Sequence, residues 1–275
     1  MLETFAEMFS YDFILKALVV GILVSLCAAL LGVSLVLKRY SMIGDGLSHV
    51  GFSALALAMV FNLAPLTVAI PVVVLAAFLL LRISESSKIR GDAAIALIST
   101  GALAIGVFAI SITTGMNVDI NNYMFGSILA MNNTDVIFSV ILSIVVLILF
   151  CVFYNYIFAV TFDEVFARAT GVNVGLYNML LAFLSAVTIV LGMRMMGALL
   201  ISSLIIFPAL SSMQVFKTFR QVIISSAILS VICFVLGLYT SYVIATPTGA
   251  SVVIANIIAF AIFYIFGMVR EIANI

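Results

Sequence analysis

Long apolar stretches, separated by short polar breaks, run through this chain from one end to the other. A helix needs about 20 apolar residues to cross a bilayer, and nine stretches reach or approach that length. The pattern therefore predicts an all-α polytopic membrane protein, a bundle of about eight or nine transmembrane helices. The break at Arg194 is the weakest, because residues 176–214 could also form an irregular pair of helices. The predicted spans are residues 13–37, 43–62, 65–82, 93–114, 136–160, 176–193, 196–214, 221–244 and 251–269.

The composition supports this prediction, with 66% hydrophobic and 8% charged residues and a mean hydropathy of +1.41. Soluble domains carry about 25% charged residues, so this chain cannot cover itself with a polar surface. Because no long linker interrupts the apolar pattern, we expect one transmembrane domain over residues 1–275. The 11 basic and 11 acidic residues balance, which argues against nucleic acid as a partner. Residues 1–4 lack the basic region of a cleavable signal peptide, so we expect an uncleaved first span.

The basic residues predict the orientation, because cytoplasmic loops carry an excess of Lys and Arg. Nearly all of them follow odd-numbered spans, which places the N-terminus outside and the C-terminus in the cytoplasm. Lys16 and Arg194 depart from this rule, and we expect them to snorkel to an interface. On the outer side, residues 121–129 predict a short outer-face or re-entrant element. The basic residues that follow the rule are Lys38, Arg39, Arg82, Lys88, Arg90, Arg168, Lys217, Arg220 and Arg270.

The one histidine of the chain, His49, lies four residues after Asp45 at the start of the second span. Residues at i and i+4 share one helix face, and an ionisable pair is costly in hydrocarbon unless it has a function. Two other interpretations are open: Asp45 or Ser41 could cap the helix, and His49 could form an interhelical hydrogen bond. The pairing favours a metal ligand pair over these alternatives. With two ligands per chain, the site would be transient, as a conduit requires.

Several classes of enzyme are excluded by missing motifs. The chain has no GxxxxGK[ST] phosphate loop, so it cannot hold ATP in the usual way. It also lacks HExxH and GxSxG, and one histidine leaves little room for a hydrolase. Transport and a structural role remain.

The longest polar stretch on the cytoplasmic side joins the fifth and sixth spans. Asp163 and Glu164 fall in the first turn of a predicted two-turn helix, where the helix dipole favours anions, and Gly171 ends it. Val165 and Phe166 would be exposed beside charged neighbours such as Arg168. This composition favours a docking helix for a soluble partner, over about residues 162–171, while a plain interfacial helix is the alternative.

Small residues and one proline predict close helix packing. Gly44, Gly46 and Gly51 would let helices approach the second span, and Pro208 would kink the seventh. Ser202 and Ser203 could restore hydrogen bonds near that kink or line a transport path. For all of these residues we favour packing.

Four segments together resemble the permease subunits of ATP-binding-cassette importers for zinc, manganese and iron. They are KRYSMIGDGLSH at 38–49, FDEVFARATG at 162–171, GALLISSLIIFPA at 197–209 and TPTG at 246–249. Their order matches the family, and the resemblance extends over about residues 14–269.

The resemblance implies a homodimer around a central path in the cell membrane of a prokaryote. It also implies two cytoplasmic ATP-binding subunits, which would hydrolyse the ATP, and an extracellular metal-binding protein or lipoprotein that delivers the ion. The metal would be cargo, with no permanently bound cofactor. Two copies of Asp45 and His49 would suit Mn²⁺, Fe²⁺ or Zn²⁺ better than Ca²⁺ or Mg²⁺, and the choice among the three stays open.

Two rival functions remain. A stand-alone metal/proton transporter would need more intramembrane carboxylates than Asp45. In a noncatalytic membrane scaffold, Asp45 and His49 would only bond to neighbouring helices.

Overall fold

Eleven helices make up the part of the chain that the structure describes. The computed structural model describes residues 10–86, 91–112 and 133–273. Nine helices in these ranges are long and apolar enough to cross a membrane, so the predicted all-α bundle is confirmed. The helices are α1 (Asp12–Leu37), α2 (Ile43–Val60), α3 (Pro65–Ser86), α4 (Gly91–Ile112), α5 (Asn133–Val152), α6 (Tyr154–Phe162), α7 (Glu164–Ala169), α8 (Val174–Met196), α9 (Ala198–Val215), α10 (Phe219–Ile244) and α11 (Thr248–Ala273).

Two predicted boundaries are wrong. The span predicted at 136–160 is broken at Phe153, which separates α5 from the short helix α6. The division between α8 and α9 falls at Gly197, where φ is 89°, and Arg194 stays in the last turn of α8. Glycine adopts positive φ without the steric cost that a side chain brings. The predicted element at 121–129 and the basic residues Lys88 and Arg90 lie outside the described residues.

The helices α1, α2 and α8 lie at the centre of the bundle. The most apolar windows of these helices are 67%, 72% and 67% buried, compared with 22% for α4, 22% for α5 and 11% for α11. Helix α1 contacts α5, α8, α9 and α10, and α2 contacts α3, α4, α8 and α9. The central helices are therefore shielded by protein, while α4, α5 and α11 turn most of their apolar surface outward.

Small residues and hydroxyl groups hold α1 close to its neighbours. A Cβ on Gly32 would lie 2.0 Å from the carbonyl oxygen of Ile205, so the backbones of α1 and α9 touch at this point. On the other side, the Ser230 hydroxyl donates to the carbonyl of Ser25 at 3.0 Å. Close backbone approach and interhelical hydrogen bonds stabilise helix pairs in lipid, and here they fix the position of α1.

Contacts between distant segments bring the basic residues to one end of the bundle. The Lys38 ammonium donates to the carbonyl of Val160, and an Arg270 guanidinium N–H donates to the carbonyl of Val215. Phe219 packs against three aromatic rings of α6. The ends of α1, α6, α9 and α11 therefore lie together, and we call this region, which carries Lys38, Arg168, Lys217, Arg220 and Arg270, the basic end.

The two exceptional basic residues lie at the opposite end, and each has an acidic partner. Lys16 forms an ion pair with Asp12 one helical turn away. Arg194 pairs with Asp135 of α5 at 2.8 Å, with both side chains largely buried. The expectation that Arg194 snorkels to an interface is wrong, because the carboxylate compensates its charge within the protein.

Candidate functional site

The pair Asp45 and His49 lies in the first turns of α2. Asp45 is the third residue of the helix, and Met42 occupies the N-cap without a side-chain hydrogen bond. The interpretations of Asp45 or Ser41 as the helix cap are therefore wrong. The Asp45 carboxylate lies where the helix dipole favours an anion.

The separation of the two side chains fits a shared cation. His49 Nε2 lies 3.7 Å from Asp45 Oδ2, which is too long for a hydrogen bond. Two ligands bound to one tetrahedral Zn²⁺ at their usual distances lie about 3.4 Å apart, so a shift of a few tenths of an ångström would let both atoms bind one ion. Their side chains are 49% exposed for Asp45 and 22% for His49, although α2 is mostly buried.

Asp45 and His49 alone would not fill the coordination shell of a metal ion. Within the described ranges, no group of three or more His, Cys, Asp and Glu side chains could hold an ion. His49 Nε2 faces Asp45 on its own helix, which gives no support to the alternative of an interhelical hydrogen bond. A cation held by this pair would need further ligands, from water or from other protein groups.

Three glycines allow other helices to approach α2 closely. A Cβ on Gly44 would lie 3.1 Å from Ile205 Cδ1 of α9. On Gly46 it would lie 2.6 Å from Ile95 Cγ2 of α4, and on Gly51 it would lie 2.7 Å from a Met193 methyl of α8. The orientation of α2, and with it the direction of Asp45 and His49, is therefore set by three neighbours.

Two serines and one proline of α9 affect the hydrogen bonding within that helix. The Ser202 hydroxyl donates to the carbonyl of Ala198 at 3.1 Å, and Ser203 donates to that of Leu200 at 2.8 Å. Pro208, which lacks an N–H, leaves the carbonyl four residues earlier without its usual donor. Neither serine reaches that carbonyl, so the interpretation that they restore its hydrogen bond is wrong.

The predicted docking segment contains a helix of six residues, α7, which is close to the two turns expected. Asp163 precedes it as the N-cap, and its carboxylate accepts a hydrogen bond from the Phe166 N–H at 2.9 Å. Glu164 occupies the first turn. Gly171, with φ 86°, confirms the predicted end. Its N–H and that of Val172 return to the carbonyls of Arg168 and Ala167 at 3.1 and 2.9 Å.

Helix α7 turns apolar side chains outward. Val165 is 81% and Phe166 65% exposed, whereas Ala167 is buried in a small apolar cluster with Val160 and Val174. Arg168 is also exposed. The small side chain of Ala167 thus packs against the bundle, while the large apolar side chains of Val165 and Phe166 are exposed beside charged residues.

A buried lysine, which the sequence identified only as a marker of orientation, joins α7 to α1. Lys38 Nζ lies 2.7 Å from Glu164 Oε1 and 2.5 Å from Asn178 Oδ1. Partial burial alone would raise the pKa of Glu164. The hydrogen bonds from Lys38 and Asn178 and the charges of Lys38 and Arg168 outweigh this effect and lower the pKa below its ordinary value. In the sequence, the one signal for this cluster of Lys38, Glu164 and Asn178 was the polar Asn178 within the apolar run of α8.

Comparison with known proteins identifies a family. The model of the ABC 3 transport family matches residues 10–267. The high-affinity zinc uptake system membrane protein ZnuB of Haemophilus influenzae is 30% identical over 252 residues, which cover 92% of this chain and 97% of that protein. The manganese transport system membrane protein MntC of Halalkalibacterium halodurans is 27% identical over 262 residues, which cover 95% and 90%.

A solved structure agrees in fold. PsaBC from Streptococcus pneumoniae in complex with Fab superposes with a TM-score of 0.85 and 28% sequence identity, covering 96% of this chain and 95% of that one. The helical arrangement described above is therefore shared nearly from end to end. The family match over most of the chain and this shared fold show that this multi-pass membrane protein of a prokaryote belongs to the ABC 3 transport family of metal ABC-transporter permeases.

Proposed function

We propose that this chain is the membrane subunit of an importer that carries zinc, manganese or iron into the cytoplasm by alternating access. The observation that supports this most directly is the Asp45–His49 pair, an oxygen and a nitrogen ligand 3.7 Å apart on a central helix. Mixed nitrogen and oxygen ligands suit these metals. The relatives transport zinc in one case and manganese in another, so the metal itself remains open.

A homodimer would complete the passage. Two copies of α2 facing one path would offer two carboxylates and two imidazoles. Each Asp45 would hold the cation as an ionised carboxylate and each neutral His49 would bind through Nε2. Such a sparse set releases its ion readily, as a conduit requires, and the metal is cargo with no permanently bound cofactor.

The energy would come from two cytoplasmic ATP-binding subunits, because the sequence contains no phosphate loop of its own. Helix α7 is the proposed docking element. Its exposed Val165 and Phe166 would enter a pocket of the ATPase, with Asp163 and Arg168 at the rim. A helix that merely lay in the membrane interface would be expected to have a broad apolar face opposite a polar face rich in Lys and Arg.

The basic end would face the cytoplasm, following the positive-inside rule. The opposite end would then receive the ion from an extracellular metal-binding protein or lipoprotein. Closure of the ATPase subunits would push on α7 and open the bundle inward past Asp45 and His49.

Reconstitution of the chain with its candidate ATPase partners tests the proposal. Metal uptake into proteoliposomes would be measured separately for Zn²⁺, Mn²⁺ and Fe²⁺, with ATP and with a non-hydrolysable analogue. We expect uptake of at least one of these metals, and only when ATP can be hydrolysed. ATP-independent uptake by the chain alone would instead support a secondary transporter, and no uptake under any condition would support a scaffold.

A further inference from the structure

We propose that Lys38 is a positioning residue that transmits movement of the docking helix α7 to the metal-binding helix α2. This inference rests on the proposed function and adds to it the connection between ATP hydrolysis and the ion path. Its basis is one buried ammonium that joins the cytoplasmic ends of four helices.

The Lys38 side chain is 7% exposed, and its ammonium uses all three of its donors. It donates to the Glu164 carboxylate of α7 at 2.7 Å, to the Asn178 amide oxygen of α8 at 2.5 Å and to the Val160 carbonyl of α6 at 3.2 Å. The Asn178 amide also donates to Glu164 Oε1 at 3.2 Å. A lysine offers three donors, so the geometry is saturated and leaves the ammonium little freedom.

Helix α7 has few other links to the first two helices. Its main packing neighbours are α6 and α8, and its small apolar cluster consists of Val160, Ala167 and Val174. No member of that cluster comes from α1 or α2. Among the described residues, the ion pair between Lys38 and Glu164 is therefore the direct polar link from α7 to α1.

The path from Lys38 to the metal pair is short and stiff. Lys38 caps the C-terminus of α1, and the Tyr40 N–H returns to the carbonyl of Leu35 at 2.8 Å. The Ile43 N–H, which begins α2, then donates to the carbonyl of Tyr40 at 3.0 Å. A displacement of Glu164 would thus pull on a hydrogen-bonded turn that leads within seven residues to Asp45.

Opposite charges hold the two side chains together. The Lys38 ammonium lies 2.7 Å from the Glu164 carboxylate, and the same contact lowers the pKa of Glu164, so the two groups attract each other in every state in which they remain close. Removal of either partner would leave the other charge partly buried without compensation. Helix α7 could then move under the ATPase without moving α1 and α2.

The decisive measurement is the number of metal ions transported per ATP hydrolysed by the complete complex in proteoliposomes, with Zn²⁺ and Mn²⁺ as separate probes. Lys38→Met keeps a long apolar side chain without the charge. We expect the ATPase to copurify and to hydrolyse ATP, while the ratio of ions to ATP falls by about fivefold or more. Lys38→Arg, which keeps the charge, should recover most of the ratio.

Lys16→Met is the matched control, because it removes a lysine from the opposite end of the same helix, and it should keep the wild-type ratio. A purely structural role for Lys38 would lower the thermal stability and the uptake of Lys38→Met while the ratio stayed at the wild-type value, and this result would overturn the inference. If Lys38→Met did not fold, Glu164→Gln would decide, since it removes the charge but retains an acceptor, and it should also lower the ratio. Absence of ATP-driven uptake by the wild type would refute the proposed function itself, whereas an unchanged ratio beside normal wild-type uptake refutes only this inference.

Discussion

Arg194 and Asp135 form a largely buried ion pair at 2.8 Å, which ties the last turn of α8 to the first turn of α5. Replacement of Arg194 by Met would leave a carboxylate without a partner. We expect Arg194→Met to lower the free energy of unfolding by up to about 3 kcal/mol. Thermal unfolding of the detergent-purified protein measures this loss.

The double variant Arg194→Met with Asp135→Leu removes both charges and should be more stable than Arg194→Met alone. If the single and the double variant lost the same free energy of unfolding, charge compensation between Arg194 and Asp135 would not be what holds these two helix ends together.

Close packing against α4 should hold α2 in place. In Gly46→Ala the new methyl group would lie 2.6 Å from Ile95 Cγ2, so the Ile95 side chain or one of the helices must shift. Overpacking of this kind costs about 1–3 kcal/mol. We expect a lower thermal stability and reduced metal uptake for Gly46→Ala. The matched control is Gly101→Ala on α4, where nothing lies within 4 Å of the new Cβ, and a loss of the same size there would refute the packing explanation.

The exposed apolar side chains of α7 should carry the contact with the ATPase. We expect Val165→Ser combined with Phe166→Ser to reduce the amount of ATPase that copurifies, because both side chains are exposed and neither supports the bundle. Leu176→Ser changes another exposed apolar residue, in the first turn of α8, and serves as the control. Normal copurification with the α7 variant would remove α7 from the docking role.

The end of α7 should matter for the same contact. Gly171 has a φ of 86°, a conformation that costs a residue with a side chain about 1–2 kcal/mol. Gly171→Ala should therefore loosen the last turn of α7 and weaken ATPase docking, while the thermal stability of the bundle changes little. Titration of the permease with ATPase, with stimulation of hydrolysis as the signal, measures the effect.

The pair of Glu164 and Lys38 should give a defined pH dependence of stability. The pKa of Glu164 in the folded protein lies below its ordinary value of 4.5. The Glu164 carboxylate therefore binds a proton more readily in the unfolded protein than in the folded one. The stability from the ionised carboxylate is therefore fully present above 4.5 and is lost as the pH falls through the lower folded pKa. The difference in melting temperature between wild type and Glu164→Gln should be constant from neutral pH down to about 5 and shrink below 4.5. A difference that grows on acidification would contradict this assignment.

The helices were predictable from the sequence because the bilayer demands long apolar runs with few alternatives. Local signals also located the start of α7 near Asp163 and Glu164 and its end at Gly171, since they act within a few residues, although Asp163 is the N-cap and does not lie in the first turn. The break at Phe153 was not predictable, because no glycine or proline marks it. Gly197 was such a mark, but the charge of Arg194 three residues earlier drew the predicted boundary away from it.

The tertiary part of the site could not be read from the sequence. Lys38 is 126 residues from Glu164 and 140 from Asn178, and neither periodicity nor spacing connects positions so far apart. Its charge indicated orientation alone. By contrast, Asp45 and His49 were predictable as a pair because one helical turn separates them.

Asp45 and His49 are proposed to bind the transported ion together. The most direct test is ATP-dependent uptake of Zn²⁺ and Mn²⁺ by the reconstituted complex carrying Asp45→Asn or His49→Ala, with Ser48→Ala as the control because its hydroxyl bonds within the helix to the Gly44 carbonyl. Even loss of a group that only supports a ligand weakens metal binding by about 10–100-fold. We therefore expect uptake to fall at least that far in both variants, with normal ATPase assembly and normal uptake by Ser48→Ala. Uptake at the wild-type rate by both Asp45→Asn and His49→Ala would show that these two side chains do not bind the transported ion.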